Sequence, residues 1–315
     1  MAARPVEAGA DAVTGSRVGP EPAEGLPVRP RRFGGGGATL GVRLGRELAR
    51  NRLAFVGALY LAVILGVAAL APAIAPYSPL KQDLLSRLDP PSADHWLGTD
   101  EAGRDELSRL IYGARVSLSI AVMGTLGGVV VGTSLGLAAG FLGGAADHVA
   151  MRVVDVMYAF PGILLAILIV AVMGPSFFNL VVALTVFNAP TLARIVRASV
   201  LSLKSREFIE AARAIGATQP RIVLRHLVPN TLAPIIVNAT LGVAGALLTA
   251  AALGFLGVGV QPPTAEWGAM LSAGKEYMRN ASYLVTFPGL LILLTVLSVN
   301  LVGDTLRDAL DPHLR

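Results

Sequence analysis

The chain has 315 residues, of which 54% are hydrophobic and only 15% charged, with a mean hydropathy of +0.64. Soluble domains carry about 25% charged residues, so this composition is that of a membrane protein, and the net charge of +5 matters less than where its cations lie. Cysteine is absent and the histidines, His95, His148, His226 and His313, are far apart, which excludes disulfide scaffolds, thiol nucleophiles and thiolate zinc sites and leaves no histidine metal spacing.

Residues 1–40, rich in Pro, Arg and Glu with a Gly34–Gly37 run, read as a disordered cytosolic tail, either a docking extension or a dispensable one. No charge falls between Arg52 and Lys81, and further charge-free runs cover Val116–Ala146, Val156–Ala193, Leu227–Ala265 and Asn280–Gly303. A crossing needs about 20 residues. The Val156–Ala193 run would measure about 57 Å as one helix, and Gly174-Pro175-Ser176 divides it in two. The spacing therefore predicts six spans, near 53–73, 116–141, 154–173, 177–200, 230–254 and 283–303. The runs do not alternate, which argues against a β-barrel. The Ala71-Pro72-Ala73 triplet imitates a signal cleavage site, but the apolar run before it is too long and starts too late for a signal peptide.

Lys and Arg placement orients the spans. Nine arginines precede residue 53, and Arg194, Arg197, Lys204, Arg206, Arg213, Arg221 and Arg225 populate the connection between spans four and five. Both regions, and with an even number of spans both termini, are expected in the cytoplasm. The loop after span one is acidic, with Asp83, Asp89, Asp94, Asp100, Glu101, Asp105 and Glu106, and is expected outside. The organisation expected is a tail at 1–40, a first span with its outer loop at 41–112, a five-span core at 113–304 and a cytoplasmic end at 305–315.

Span two carries Gly124, Gly128, Gly132, Gly136, Gly140 and Gly144 at every fourth position. Lipid gives helices no hydrophobic reason to associate, so small residues act by letting backbones approach. The stripe predicts helix packing, with a substrate-lining role as the other reading. Asn238 in span five is a candidate for the translocation path or for an interhelical hydrogen bond. No span has an ionisable residue near its middle, where ion-coupled carriers place one. Nor does any G-x-x-x-x-G-K-[ST] motif occur. A secondary carrier or channel and a membrane-embedded enzyme are thereby disfavoured, the enzyme also for want of any nucleophile–base pair, and an ATP-driven mechanism would need the nucleotide on another chain.

In the cytoplasmic segment 205–229, Phe208, Ala211, Ala212 and Ile215 share a helical face and Gly216 stops the helix. Pattern alone leaves open a plug for a partner's groove or a helix lying on lipid headgroups. In the outer loop, Asp100, Arg104 and Asp105 among turn formers either pair with one another or meet a docking protein. Trp267, after Gln261-Pro262-Pro263, reads as part of a gate or docking loop at the membrane interface.

Glu210-Ala211-Ala212, then Gly216, then His226-Leu227-Val228-Pro229 resembles the EAA loop of ABC importer permeases. His95–Asp100, Gly103-Arg104-Asp105, Leu107–Arg115, Ala252–Pro263, Glu266-Trp267-Gly268 and Gly303–Pro312 are similar to the C-type permease of dipeptide/oligopeptide/nickel importers. The match runs from about residue 43 to the C-terminus; His226 and Val228 depart from the general loop pattern, and the tail has no counterpart. The resemblance implies an all-α polytopic type I permease in the bacterial inner membrane. Its partners would be a sister permease, two ABC ATPase subunits, a solute-binding protein and membrane lipid, with no nucleic acid. ATP and Mg would sit on the ATPases, with no catalytic residue, cofactor or metal on this chain. The cargo would be di- or oligopeptide, with nickel or another small solute as the alternative. Glu207, Phe208, Glu210, Ala211, Ala212, Ile215 and Gly216 would form the ATPase-coupling element, and Asp100, Arg104, Asp105 and Trp267 the outer docking or gating positions.

Overall fold

The computed structural model describes residues 51–310 together with Gly41, Gly45, Leu48 and Arg50. The expected tail at 1–40 lies outside the described residues, as do residues 311–315. Among the described residues every regular element is helical, and the one β-bridge pairs Thr99 with Asp105. The helices are α1 (Arg52–Ala69), α2 (Ala71–Ile74), α3 (Glu106–Leu142), α4 (Gly144–Tyr158), α5 (Gly162–Met173), α6 (Phe177–Lys204), α7 (Glu207–Ala214), α8 (Gln219–Ile222), α9 (Val228–Phe255), α10 (Trp267–Gly274) and α11 (Tyr283–Leu310).

Five helical stretches are long and apolar enough to cross a membrane, and a sixth crossing is made only if α4 and α5 count as one broken span. That is the main correction to the predicted map. In place of one helix over 154–173, α4 and α5 meet at 89°. Pro161 has no N–H to continue the ladder and caps α5 instead, and Gly143 and Gly144, both at positive φ, start α4 ten residues early. At 12 residues α5 rises only about 18 Å, short of a full crossing.

Other boundaries shift for local reasons. Span two begins at Glu106 because the Asp105 carboxylate accepts from the Ser108 N–H and caps the helix there. The expected division at 112/113 therefore falls inside a helix. Span five begins at Gln219, since a five-residue π-helical turn, Val223–Leu227, joins α8 to α9 without a break. Pro229 removes the N–H that would bond the Arg225 carbonyl, which accommodates the wider turn. Span six continues to Leu310, so residues 305–310 belong to the last helix.

The most extensive helix contact is between α3 and α6. A Cβ built on Gly124, Gly128, Gly132, Gly136 or Gly140 would lie 2.5–2.8 Å from atoms of Leu184, Asn188, Ala189, Val200 or Ala193 on α6. Two of those atoms are backbone carbonyl oxygens, of Ala189 and Ala193, so the main chains touch. Gly144 stands apart from this stripe, in the break before α4 with open space around it. One apolar core joins α1, α3, α5, α6, α9, α10 and α11, and a second gathers Val196, Val200, Ile209, Ile222, Leu227 and Ile235 around α7.

Candidate functional site

The segment after α6 is built to stand out from the chain. Its helix α7 places Glu207 and Glu210 in the first turn and Arg213 in the last, each favourable to the helix dipole. It ends in a Schellman motif: the Gly216 N–H donates to the Arg213 carbonyl at 2.9 Å and the Ala217 N–H to the Ala212 carbonyl at 3.0 Å. Gly216 sits at φ +80°, where a Cβ is costly. Ile209, fully buried, and Ala212 anchor the helix to the chain.

The opposite face is open. Phe208 is 43% and Ile215 86% exposed, and Glu207, Glu210, Ala211 and Gly216 are exposed with them. A groove of about 450 Å³ runs along this face, bounded by Phe208, Ala211, Ile215, Arg225 and His226. Glu207, Glu210, Arg213, Arg221 and Arg225 form no ion pair with another described residue. Apolar side chains at a groove, flanked by uncompensated charges of both signs, make a surface suited to a complementary protein. Of the expected coupling residues, only Ala212 turns inward.

Sequence reasoning overlooked two features here. The π turn carries His226, whose ring lies 6.3 Å from that of Phe208 and whose carbonyl accepts from Asn230 at 2.6 Å. Pro229 was its signal. Behind α7, Arg197 donates to both carboxylate oxygens of Asp147 at 2.6 and 2.7 Å, and Lys204 donates to the Phe141 carbonyl at 2.8 Å. These ties fasten the lower end of α6 to α4 and to the end of α3.

At the other end of α3 the expected docking positions are turned inward. Asp100 accepts from the Arg104 Nε at 2.6 Å and faces the Arg109 Nε at 3.1 Å, with all three side chains buried. Asp105 caps α3 through one carboxylate oxygen and meets His95 Nδ1 at 2.9 Å with the other. Gly103, at φ +70°, packs against the Asp83 carbonyl so tightly that no Cβ fits. Trp267, expected at a membrane interface, is fully buried in this chain. Its indole N–H donates to the Leu110 carbonyl at 3.1 Å, and its ring fills the space left by Gly113. Beside it Glu266 accepts from the Gly268 and Ala269 N–H groups and from Ser117 Oγ. Burial pushes that carboxyl above the usual range, and the three donors pull it partway back. Asn238, half-buried on α9, donates to the Pro234 carbonyl of its own helix at 2.9 Å. It also borders a groove with Leu241 and Arg307. Among the described residues no cluster of three or more His, Asp or Glu could hold a metal ion.

Two families match the chain. The one described as binding-protein-dependent transport system inner membrane component covers residues 132–315, and the N-terminal TM domain of oligopeptide transport permease C covers residues 39–91. The chain is 47% identical over 270 residues to the dipeptide transport system permease protein DppC of Alkalihalophilus pseudofirmus, covering 86% of this chain and 89% of that protein. It is 46% identical over 276 residues to the di/tripeptide transport system permease protein DppC of Pseudomonas aeruginosa, covering 86% and 91%. It is 44% identical over 271 residues to the glutathione transport system permease protein GsiD of Pectobacterium atrosepticum, covering 86% and 90%. Among solved structures, an inward-facing MetNI methionine ABC transporter superposes with a TM-score of 0.54 at 23% identity, over 64% of this chain and 96% of that one. That likeness is one of fold.

Proposed function

Since the chain belongs to the binding-protein-dependent transport system inner membrane components, and so is a multi-pass inner-membrane permease subunit of an ABC importer, we propose that it carries di- or oligopeptides. ATP hydrolysis belongs to separate subunits, and the family works with ATPases, a substrate-binding protein and a sister permease. The peptide assignment rests on the three relatives, whose named cargoes are dipeptides, di/tripeptides and glutathione, itself a tripeptide.

In this reading the arginine-rich side of the chain is cytoplasmic, and α7 is the element on which an ATPase subunit bears. The open face of α7 is the observation that supports it: an anchored helix presenting Phe208, Ala211 and Ile215 beside unpaired charges. ATP and Mg bind on the ATPases, and this chain holds no cofactor. When the ATPase pair closes on ATP, the push on α7 passes into α6 before it and, through α8 and the π turn, into α9 after it. The path between the two permeases then opens outward to receive peptide, and hydrolysis returns it inward.

The test is ATP-driven uptake of a labelled dipeptide by the assembled importer in proteoliposomes. Ala211→Trp is the informative change, because Ala211 is exposed whereas Ala212 is buried and a large residue there would disturb the anchoring of α7. The variant should reach the membrane at normal levels, and uptake should fall at least tenfold, with about 1.4 kcal/mol per decade lost from the ATPase contact. Normal uptake would remove α7 from the coupling role. Uptake of other solutes but not peptides would remove the cargo assignment.

A further inference from the structure

A groove between α1 and α3 has the chemistry of an amphiphile site. Its apolar wall includes Leu65 and Ala69 from α1 and Val122 and Met123 from α3, and Arg115 and Ser119 stand in it as well. Arg115 is exposed and forms no ion pair with another described residue.

Depth decides what can meet that guanidinium. The 18 residues of α1 rise about 27 Å from Arg52 to Ala69, close to the thickness of a hydrocarbon core. Ala69 therefore lies near the membrane boundary opposite the arginine-rich N-terminal side, and Arg115, which shares the groove with it, lies at headgroup level. Met123 is eight residues further along α3, about 12 Å deeper. The charge thus stands at the mouth of the groove, and the apolar wall leads away from it into the bilayer. Arginine binds phosphate through a planar fork of donors, and an unpaired guanidinium beside hydrocarbon needs an anion or water.

We propose that this groove holds one anionic phospholipid of the leaflet opposite the N-terminal arginines, with its phosphate on Arg115 and one acyl chain along Leu65, Val122 and Met123. Charge complementarity selects an anionic headgroup: the residues lining the groove carry one cation and no acid. The lipid would fasten α1 to α3 at the end where the outer loop begins.

The experiment uses the intact complex in mild detergent, with native mass spectrometry counting phosphatidylglycerol on this chain during titration against phosphatidylcholine. Wild type should take up one phosphatidylglycerol in preference to phosphatidylcholine. Arg115→Gln should weaken that preference about tenfold, the loss expected for one charge-assisted contact, while Arg115→Lys retains most of it. Val122→Trp, which keeps the charge and fills the groove, should lose the bound lipid as well. Equal lipid binding by wild type and either Arg115→Gln or Val122→Trp would overturn the proposal. So would displacement of the lipid by excess inorganic phosphate, which would mark a simple anion site. Loss of the sister permease from the Arg115→Gln complex would overturn it in favour of a protein partner at Arg115.

Discussion

Charged residues in the loop before α3 show how far a side chain's role depends on where it ends up. Asp100, Arg104 and Arg109 form a compact buried group rather than a charged surface. A buried charge stripped of its partner costs about 3–5 kcal/mol; without Asp100, Arg109 loses its carboxylate while Arg104 keeps that of Glu101 at 2.8 Å. Asp100→Ala, leaving two guanidiniums without their shared carboxylate, should lower the denaturation midpoint of the purified chain by an amount of that order, read in detergent by intrinsic fluorescence. A surface aspartate engaged only with a docking protein would change docking and leave the midpoint untouched. The sequence made two members of this group visible, since Asp100 and Arg104 stand with Asp105 among turn-forming glycines, but it could not tell pairing from docking. That choice depends on Arg109, a full helical turn further on, and on Gly103 backing onto Asp83 from a distant part of the loop. Trp267 was misplaced for a related reason. An indole beside two prolines has an interface-seeking composition, whereas its hydrogen-bond partner, the Leu110 carbonyl, is 157 positions away in the chain.

Helices were legible where one physical rule governed them and obscure where two competed. The run of charge-free residues was enough to find α1, α3, α6, α9 and α11. It was blind to the break between α4 and α5, because hydropathy does not register direction: the apolar residues before and after Pro161 are equally hydrophobic whether the helix bends or runs straight. The π turn before α9, Val223–Leu227, has Arg225 and His226 in it and all but Leu227 lies outside the charge-free run, so hydropathy placed the start of the helix too late. The glycine stripe of α3 was read in advance for five of its six positions, and the sixth, Gly144, failed because the helix ends two residues before it. The stripe also predicts a mutational result. Gly132→Val would drive a branched side chain into the Ala189 carbonyl and the Leu192 side chain. Overpacking of this kind costs about 1–3 kcal/mol or more, and the variant should show reduced membrane accumulation and faster proteolysis. The same substitution at Gly66 of α1, where a Cβ meets nothing, should leave both unchanged.

Across the whole molecule, the start of α3 and the segment after α6 are held by different means. On one side buried ion pairs and hydrogen bonds from the preceding loop hold the start of α3, and on the other α7 stands open with its charges unpaired. The absence of native cysteine makes motion between them measurable without background labelling. Spin labels on Val131 of α3 and Leu201 of α6, both exposed, should keep one separation with and without ATP in the assembled importer, as judged by pulsed electron resonance. A change of more than a few ångströms would show that the two helices slide. The expectation of no change has its origin in the glycines. Most helix pairs are separated by side chains that can switch rotamer and take up a displacement locally. Between α3 and α6 that compliant layer is missing over the length of the stripe, so the pair behaves as a single stiff rod. One end of the rod leads into α7, and at the other Asp105 and Arg109 are tied to the preceding loop. A thrust delivered on one face of the membrane arrives on the other with almost no lost motion.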